Sequence, residues 1–324
     1  MNDDTHTGNP SNDKGNWYVL TVDLPRIIQP ITLTGGVTLR PLREQFSVFD
    51  LAAAGAVGFR SWAVLEPMAS SCTCEIESAV DANITPGYDT LNRAWLASAL
   101  LVLRGFTRHM CVACSRYSWS KITGHQKRHS STFQKQLQQE GVETATFAPR
   151  DDLPPFEGQL LDFHLAHLID KGTRADSISD DDARWIKEHY DIFNILASEN
   201  DSFRFALEAA IDWRYSSDIR SAVSRLWAGI EAIFGISSEL VYRISLLSAS
   251  LLVQRGEERK KRFRATKELY GLRSKAVHGD EVPTEKLSLA LNGSFQLLKE
   301  LLLLTIDKGH ILNDHDFDDA IFGE

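Results

Sequence analysis

Two stretches near the start of the chain alternate apolar and polar residues, which is the pattern of half-buried β-strands. Trp17 to Leu24 reads WYVLTVDL, and Ile31 to Leu42 reads ITLTGGVTLRPL, with Gly35-Gly36 as a turn signal in its middle. A further strand-like piece runs from Cys72 to Val80. The pattern predicts a mixed, β-containing domain in the first part of the chain.

An apolar helix and a proline-containing connection follow these strands. Leu91 to Arg104 reads LNRAWLASALLVLR and is closed by Gly105. Residues 141–158 then hold three prolines among acidic and small residues, which suits a connection between domains. We place the boundary between Pro149 and Pro154, so that the first domain covers residues 17–150 and the second covers residues 151–324.

The second domain is helical in pattern throughout. Its predicted helices are Glu157–Asp170, Asp180–Ala197, Ser202–Trp213, Asp218–Phe234, Ser238–Val253, Glu257–His278 and Thr284–Asp307. Ser217 or Asp218 can cap the fourth helix, Gly235 closes it, and Ser237-Ser238 opens the fifth. Short loops between long helices imply an antiparallel bundle. The predicted fold class is therefore α+β, with a mixed β-containing N-terminal domain followed by an all-α bundle.

The first residues and the longest apolar runs bear on location. Residues 1–16 are rich in Asn, Asp, Gly and Thr, without a basic or apolar region, and are expected to be a disordered leader and not a secretion signal. The longest apolar runs, Ala94–Phe106 and Leu297–Ile306, are shorter than the roughly 18 to 20 residues that span a bilayer. We expect no membrane contact and a cytoplasmic protein.

Charge is distributed unevenly along the chain. Asp and Glu number 44 against 35 Lys and Arg, a formal net charge of −9, which argues against a globally basic nucleic-acid coat. One segment is nonetheless basic, since its cations outnumber its three glutamates, Glu257, Glu258 and Glu268. The cations of this basic segment are Arg255, Arg259, Lys260, Lys261, Arg262, Arg264, Lys267, Arg273 and Lys275. It is either a surface that contacts RNA or a solvated helix face, which is how most charge runs are used.

One of these cations falls within an apolar stripe. At about 100° per residue the stripe of the sixth helix consists of Phe263, Thr266, Leu269, Tyr270, Leu272, Ala276 and Val277. Arg273 lies near its middle, and burying an unpaired guanidinium costs several kcal/mol. Arg273 must therefore pair with an acid, or face a cleft or another chain. The fourth helix has an apolar core stripe of its own, made of Val223, Leu226, Trp227, Ile230, Ile233 and Phe234. Glu231, on the flank of that stripe one turn past Trp227, is the natural partner of Arg273.

His278 follows Arg273 by five positions, in the last turn of the sixth helix before Gly279. The negative end of the helix dipole favours a cationic side chain there. Positions five apart differ by about 140° on an ideal helix, so Arg273 and His278 do not share a face. If the two residues act together, the helix end must bend or a second subunit must complete the pair.

The end of the sixth helix carries a motif of known type. Arg273, Ser274 and His278 form R-x4-H, and the stretch from Tyr270 to Gly279 reads YGLRSKAVHG. These residues resemble the signature of the HEPN domain, the all-helical fold of a large group of metal-independent ribonucleases, and in particular its Apea-like kind.

The residues around the motif support the same resemblance. LWAGIEAIF at 226–234 looks like the family's helix with its glutamate, Glu231, and SELVYRIS at 238–245 follows it. The resemblance covers the chain from Asp201 to Asp307. Ser274 stands where many active members of the family have Asn, Asp or His.

The resemblance implies an endoribonuclease that works as a homodimer without a cofactor or metal. His278 would act as general base or acid, Arg273 would stabilise the phosphorane, Ser274 would orient His278 or bind phosphate, and Glu231 would hold Arg273. The residues expected to gather RNA are Lys260, Lys261, Arg262, Arg264, Lys267 and Lys275. Apea-like proteins are associated with bacterial defence, where an attached domain recognises an invader, so the first domain would respond to an unknown ligand or trigger. The alternative is a HEPN fold used for dimerisation or as an RNA-binding adapter, with Arg273 and Glu231 as a structural pair.

Other candidate chemistry is weaker. Cys72-x-Cys74 and Cys111-x-x-Cys114 supply the number of ligands for a Cys₄ zinc site, but the first spacing is irregular, so buried thiols are expected. The pairs His125/His129 and His164/His167 have helical spacing without accompanying carboxylates and are expected to be surface or core residues. The motifs of nucleotide-binding loops, zinc proteases and serine hydrolases do not occur.

Overall fold

The computed structural model describes residues 15–42, 44, 47, 50, 64–79, 88–123, 158–160, 177–236 and 238–323. These residues group into two compact units, of which the second contains Ala99–Thr107 and the chain from Glu188 onward. The predicted domain boundary, residues 1–14 of the predicted leader and the two histidine pairs lie outside the described residues. The α+β fold class is confirmed, since an antiparallel sheet is followed by a helical bundle.

The first unit contains an antiparallel sheet whose strands are ordered β2-β3-β4-β1-β5-β6. The strands are β1 (Trp17–Val22), β2 (Ile31–Thr32), β3 (Val37–Pro41), β4 (Cys74–Ser78), β5 (Met110–Ser115) and β6 (Gly158–Leu160). The predicted turn at Gly35-Gly36 joins β2 to β3, and both glycines adopt positive φ, which glycine does without steric cost. The strand predictions in the first part of the chain are thus confirmed.

Strand β4 is buried on both faces, so its polar side chains need partners inside the protein. Glu75 accepts hydrogen bonds from the Ser118 hydroxyl at 2.7 Å and from the backbone N–H of Trp119 at 2.6 Å, where the short helix α2 (Trp119–Ile122) begins. Burial raises the pKa of Glu75. Glu77 accepts from the Tyr18 hydroxyl at 3.1 Å. These carboxylates therefore have structural roles within the sheet.

The helix predicted at Glu157–Asp170 is wrong at its beginning. Residues Gly158–Leu160 form strand β6, which pairs antiparallel with β5 through Cys114 and Gln159. A sheet edge presents unpaired N–H and C=O groups that a short neighbouring segment can satisfy. Local helical periodicity does not reveal that such an edge is available. The remainder of the predicted helix lies outside the described residues.

The second unit is a bundle of helices that the sequence pattern predicted closely. The helices are α3 (Asp180–Glu199), α4 (Asp201–Asp212), α5 (Ile219–Phe234), α6 (Leu240–Leu252), α7 (Glu257–His278), α8 (Thr284–Lys308) and α9 (Asp314–Phe322). Helix α3 belongs to this unit from Glu188 onward, and so do residues Ala99–Arg104 at the end of α1 (Tyr88–Arg104). Helix α6 begins after Glu239, whose φ is 52° and whose side chain makes no capping bond, so Ser238 does not cap it as predicted. Ser237 lies outside the described residues.

Helix α5 lies in the core of the bundle. Its predicted apolar stripe, which includes Trp227 and Ile230, is buried. Gly229 lets α4 approach, because a Cβ atom at this position would lie 2.8 Å from the Cβ of Ala209. Asp218 caps the helix by accepting a hydrogen bond from the backbone N–H of Ser221 at 3.0 Å. The predicted cap and stripe of this helix are confirmed.

Helix α8 is the longest helix among the described residues. By length and composition alone, Thr284–Lys308 is apolar enough to cross a membrane. The apolar run within it, Leu297–Ile306, is too short to indicate this from the sequence. Its most apolar window has a mean hydropathy of 1.3, and 56% of that window is buried within the protein. Leu298 and Leu301 are fully buried in the bundle. This burial is what the core helix of a bundle shows.

Helix α7 is much less buried than its predicted stripe suggested. Thr266 and Ala276 are buried, but the other stripe residues are partly exposed, and Val277 is 46% exposed. The helix packs against α5, α6 and α8 and leaves apolar surface uncovered. The apolar stripe therefore exceeds what the described residues of one chain bury.

The end of the chain, beyond the last predicted helix, forms helix α9. Asn313 and Asp316 make reciprocal capping bonds at its start. The ring of Phe317 lies 6.0 Å from that of Phe234 on α5. One buried aromatic contact and a capping box therefore order a short acidic segment.

Candidate functional site

Arg273 lies between a carboxylate of α5 and an aromatic ring of its own helix. Its Nη2 atom is 3.3 Å from Oε1 of Glu231, which confirms the predicted pair. Its Cζ atom lies 5.4 Å from the ring centre of Tyr270, and that ring packs edge-on against Trp227 at 5.1 Å. The side chains of Arg273 and Glu231 are 23% and 24% exposed. The guanidinium is thus held in place while part of it stays open to solvent.

These contacts leave hydrogen-bonding capacity unused. Three buried atoms have no hydrogen-bond partner within the described part of the chain, namely Nε of Arg273, Oε1 of Glu231 and Nε1 of Trp227. Arg273 and Glu231 therefore attract each other as charges without forming the paired N–H···O fork. A guanidinium carries five N–H donors that match the oxygens of a phosphate. Arg273 can bind a phosphate without giving up a hydrogen bond to the described residues.

His278 lies at the end of α7, which continues through this residue and closes at Gly279. Because the helix is unbroken, Arg273 and His278 are about 140° apart around the axis and about 7.5 Å apart along it. The bent helix end, one of the two predicted arrangements, is not observed. His278 is exposed, and among the residues that the structure describes it has no hydrogen-bond partner. Ser274, one turn earlier and partly buried, faces the same side of the helix.

Arg220 fixes the end of α7, and sequence reasoning missed it. This first-turn residue of α5 donates from Nη1 to the carbonyl of Ala276 at 3.1 Å and from Nη2 to the carbonyl of Asp280 at 2.7 Å. Those carbonyls belong to the last turn of α7 and the residues after it, which lack helical N–H partners. Arg220 thereby brings a second guanidinium to the end of α7, the helix that His278 terminates. No local pattern links Arg220 to a helix some fifty residues later.

No family model, curated protein or solved structure matches this chain. The assignment of chemistry therefore depends on the residues and their geometry. The resemblance of Asp201–Asp307 to HEPN domains stays a prediction.

The cations predicted to gather RNA do not form one patch. Lys260 and Arg264 line a groove between α7 and α6, whereas Lys275 lines a groove between α7 and α8. Arg262 forms an ion pair with Glu300 of α8. Lys260 and Lys261 form exposed ion pairs with Glu257 and Glu258, respectively, and Lys267 is exposed. Because successive residues turn by about 100°, a run of cations along a helix must divide between its faces.

The groove between α7 and α8 is lined by leucines and by charged side chains. It encloses about 570 Å³, and its lining includes Leu269, Leu272 and Leu289 as well as Glu268, Lys275 and Lys286. Leu289 is 66% exposed. Exposed apolar side chains grouped on the surface of a bundle often mark an interface with another chain.

The four cysteines lie in the first unit as free thiols. Cys72, Cys74 and Cys114 are buried, and burial raises the pKa of Cys72 to about 12. Cys74 and Cys111 are both paired with Thr21, on opposite sides of β1. No group of three or more potential ligands among the described residues could hold a metal ion. The absence of zinc stays a prediction that metal analysis of the purified protein would check.

Proposed function

We propose that this protein is a metal-independent endoribonuclease of the HEPN type. The observation that carries the proposal is the state of Arg273, which Glu231 and Tyr270 hold in place while its hydrogen-bond donors remain unused among the described residues. A positioned guanidinium with free donors is what a transition state with charge on phosphate oxygens requires. The histidine of the same R-x4-H motif supplies an imidazole, whose nitrogens can accept or donate a proton.

The reaction that these residues support is attack by the neighbouring ribose hydroxyl. The 2′-oxygen forms a bond to phosphorus while the bond to the 5′-oxygen breaks. His278 removes the proton from the 2′-hydroxyl or donates a proton to the departing 5′-oxygen, water supplies or takes up the other proton, and Arg273 stabilises the phosphorane. The products are a 2′,3′-cyclic phosphate and a free 5′-hydroxyl, so atoms and protons balance without a metal. Ser274 orients His278 or contacts the phosphate.

The proposed active form is a homodimer. Arg273 and His278 point in different directions on one unbroken helix, so a two-fold axis is needed to bring a second motif into the same cleft. The exposed Leu289 and the partly exposed Leu269 and Leu272 of the α7–α8 groove supply apolar surface that a second copy would cover. We further propose a cytoplasmic location and, by analogy with Apea-like proteins, a role in bacterial defence with an unidentified trigger acting on the first unit.

The test of the proposal is cleavage of single-stranded RNA in excess EDTA by wild type and by His278→Ala. The variant should lose on the order of 10² or more in rate while its circular dichroism and oligomeric state are unchanged. His315→Ala is the matched control, because His315 is also a highly exposed histidine of the same unit. Cleavage that requires an added metal, or equal losses in the two variants, would contradict the proposal.

The second candidate function is a non-catalytic dimerisation or adapter module. The Arg273–Glu231 contact favours it, because the two charges balance each other in the folded chain. In that case Arg273 serves packing and His278 ends a helix. RNA binding or a dimer, without cleavage of any RNA, would support this candidate over the ribonuclease.

A further inference from the structure

The outer face of the α6–α7 hairpin carries a groove that combines cations with aromatic rings. The part of the groove near the start of α7 encloses about 530 Å³, and its aromatic lining residues are Tyr242 and Phe263. The two rings lie 5.8 Å apart and meet edge to face. Tyr242 is 58% exposed, although a ring of this size is usually covered by its own chain.

The charged side chains that line this groove are cations among the described residues, namely Arg255, Arg259, Lys260 and Arg264. Lys260 is paired with the exposed Glu257 at 2.6 Å. Arg259 is held by the carbonyls of Val253, Ser250 and Ala320, so it adds charge but few free donors. Arg264 is exposed and has no ion-pair partner in the described ranges. A concave surface with one sign of charge concentrates the opposite charge of a ligand.

The groove extends along α7 toward the proposed catalytic arginine. A second depression of about 480 Å³ adjoins the first at Tyr242 and is lined by Leu240, Val241, Tyr242 and Tyr270, with the carboxylate of Glu239 as its one charged group among the described residues. Tyr270 is the residue whose ring lies against Arg273. From Lys260 to Tyr270 the helix rises by about 15 Å. A chain that follows the groove would therefore be led to Arg273.

We infer that the α6–α7 groove binds single-stranded RNA, with bases stacked on Tyr242 and Phe263 and phosphates drawn by Arg255, Lys260 and Arg264. The inference rests on the proposed ribonuclease function, whose substrate it narrows to unpaired RNA. Aromatic platforms beside cations bind single strands because each unpaired base has a face that stacks, and the backbone supplies the charge. Bases in a duplex are already stacked and do not reach rings inside a groove.

The test is fluorescence anisotropy with the wild-type full-length chain and a fluorescein-labelled 2′-O-methyl oligouridine of about 12 nucleotides. This probe lacks the reacting hydroxyl, so binding is measured without cleavage. Single-stranded probe should bind more tightly than a 2′-O-methyl duplex of equal length. Tyr242→Ala should weaken single-strand binding roughly tenfold or more, whereas Tyr242→Phe should retain it because the ring does the stacking.

Matched controls separate this groove from general surface effects. Phe205→Ala removes another exposed aromatic ring, and Arg184→Ala removes another exposed arginine. Neither should change affinity, while Arg264→Ala should reduce the salt dependence of single-strand binding by about one counterion. Equal effects of Tyr242→Ala and Phe205→Ala, or equal affinity for duplex, would overturn the inference.

Failure of this inference and failure of the proposed function give different results. If wild type cleaves RNA in EDTA and Tyr242→Ala neither binds nor cleaves differently, the inference is overturned and the ribonuclease stands. If Tyr242 and Arg264 are required for binding but wild type cleaves no RNA, the inference that the groove binds RNA is supported and the proposed ribonuclease function is contradicted. If the groove captures poly-glutamate and not RNA, its occupant is an acidic protein and the inference is overturned.

Discussion

Arg273 is the residue on which the proposed ribonuclease function rests. A charge within an apolar stripe could be recognised in the sequence, and so could an acid one turn past Trp227 on the neighbouring helix. The 3.3 Å contact confirms that pair. The unused donors could not be predicted, because they depend on the angle at which two helices bring their side chains together. Arg220 was missed for a similar reason, since only the folded chain places it at the end of α7.

The Arg273–Glu231 contact should appear as an energetic coupling. Removal of one partner leaves the other partly buried without its opposite charge, so each single alanine variant should destabilise the protein. The double variant should cost less than the sum of the two, by roughly 0.5–3 kcal/mol. Urea unfolding of the four proteins measures this difference.

A control pair on another helix gives that measurement its scale. Arg204 and Glu208 of α4 lie 2.8 Å apart, with side chains 24% and 40% exposed. Their coupling should be about 0.3–0.5 kcal/mol, as for other helical pairs four residues apart. A coupling between Arg273 and Glu231 no larger than zero would show that the contact does not hold Arg273 in place.

At the scale of single elements, helix ends and buried apolar stripes could be predicted better than edge strands and the extent to which a helix is buried. Asp218, Gly235 and Gly279 mark helix ends by their own chemistry, and the structure confirms all three. Strand β6 was missed because its stability comes from pairing with β5 and not from its own pattern. The shallow burial of α7 was missed because periodicity shows which face is apolar but not how much of it a neighbour covers.

The N-terminal cap of α5 should make the bundle sensitive to acid. Hydrogen bonds from Ser221, first from its hydroxyl and then from its backbone N–H, lower the pKa of Asp218. A pKa lower in the folded than in the unfolded state stabilises the fold above the unfolded value, and this contribution is lost as pH falls through the folded value. Asp218→Ala should cost about 1 kcal/mol at neutral pH.

That cost should shrink as the pH is lowered below the ordinary range of aspartate, because the protonated cap loses its charge. Thermal unfolding of wild type and Asp218→Ala at neutral and acidic pH gives the comparison. Asp201→Ala is a suitable control, since Asp201 is an exposed first-turn residue of α4 and makes no capping bond. A cost that is independent of pH would show that the carboxylate charge does not contribute.

At the scale of the whole molecule, the proposed homodimer is argued from the unbroken helix α7 and from the leucines of the α7–α8 groove. The proposed site then takes Arg273 from one protomer and His278 from the other. Arg273→Ala and His278→Ala should each be inactive alone but should complement each other after mixing under conditions that allow exchange. A mixed dimer keeps one complete pair, so about a quarter of wild-type activity should return when half of the dimers are mixed.

Two results would contradict this arrangement. Light scattering that shows monomer alone at micromolar concentration would remove the dimer. Efficient formation of mixed dimers without recovered cleavage would place Arg273 and His278 of one chain in the same site. Leu289→Lys, which puts a charge into the α7–α8 groove, should weaken the dimer, whereas the exposed Phe205→Lys on α4 should not.

The measurement that tests the central claim most directly uses an oligodeoxynucleotide that contains a single ribose, incubated with the protein in EDTA. Attack by the 2′-hydroxyl predicts one cut, on the 3′ side of that ribose. Mass spectrometry should show a 2′,3′-cyclic phosphate on one product and a 5′-hydroxyl on the other. His278→Ala should abolish this cut and His315→Ala should not. Cutting at deoxyribose positions, or cutting that appears only when a metal is added, would contradict the account.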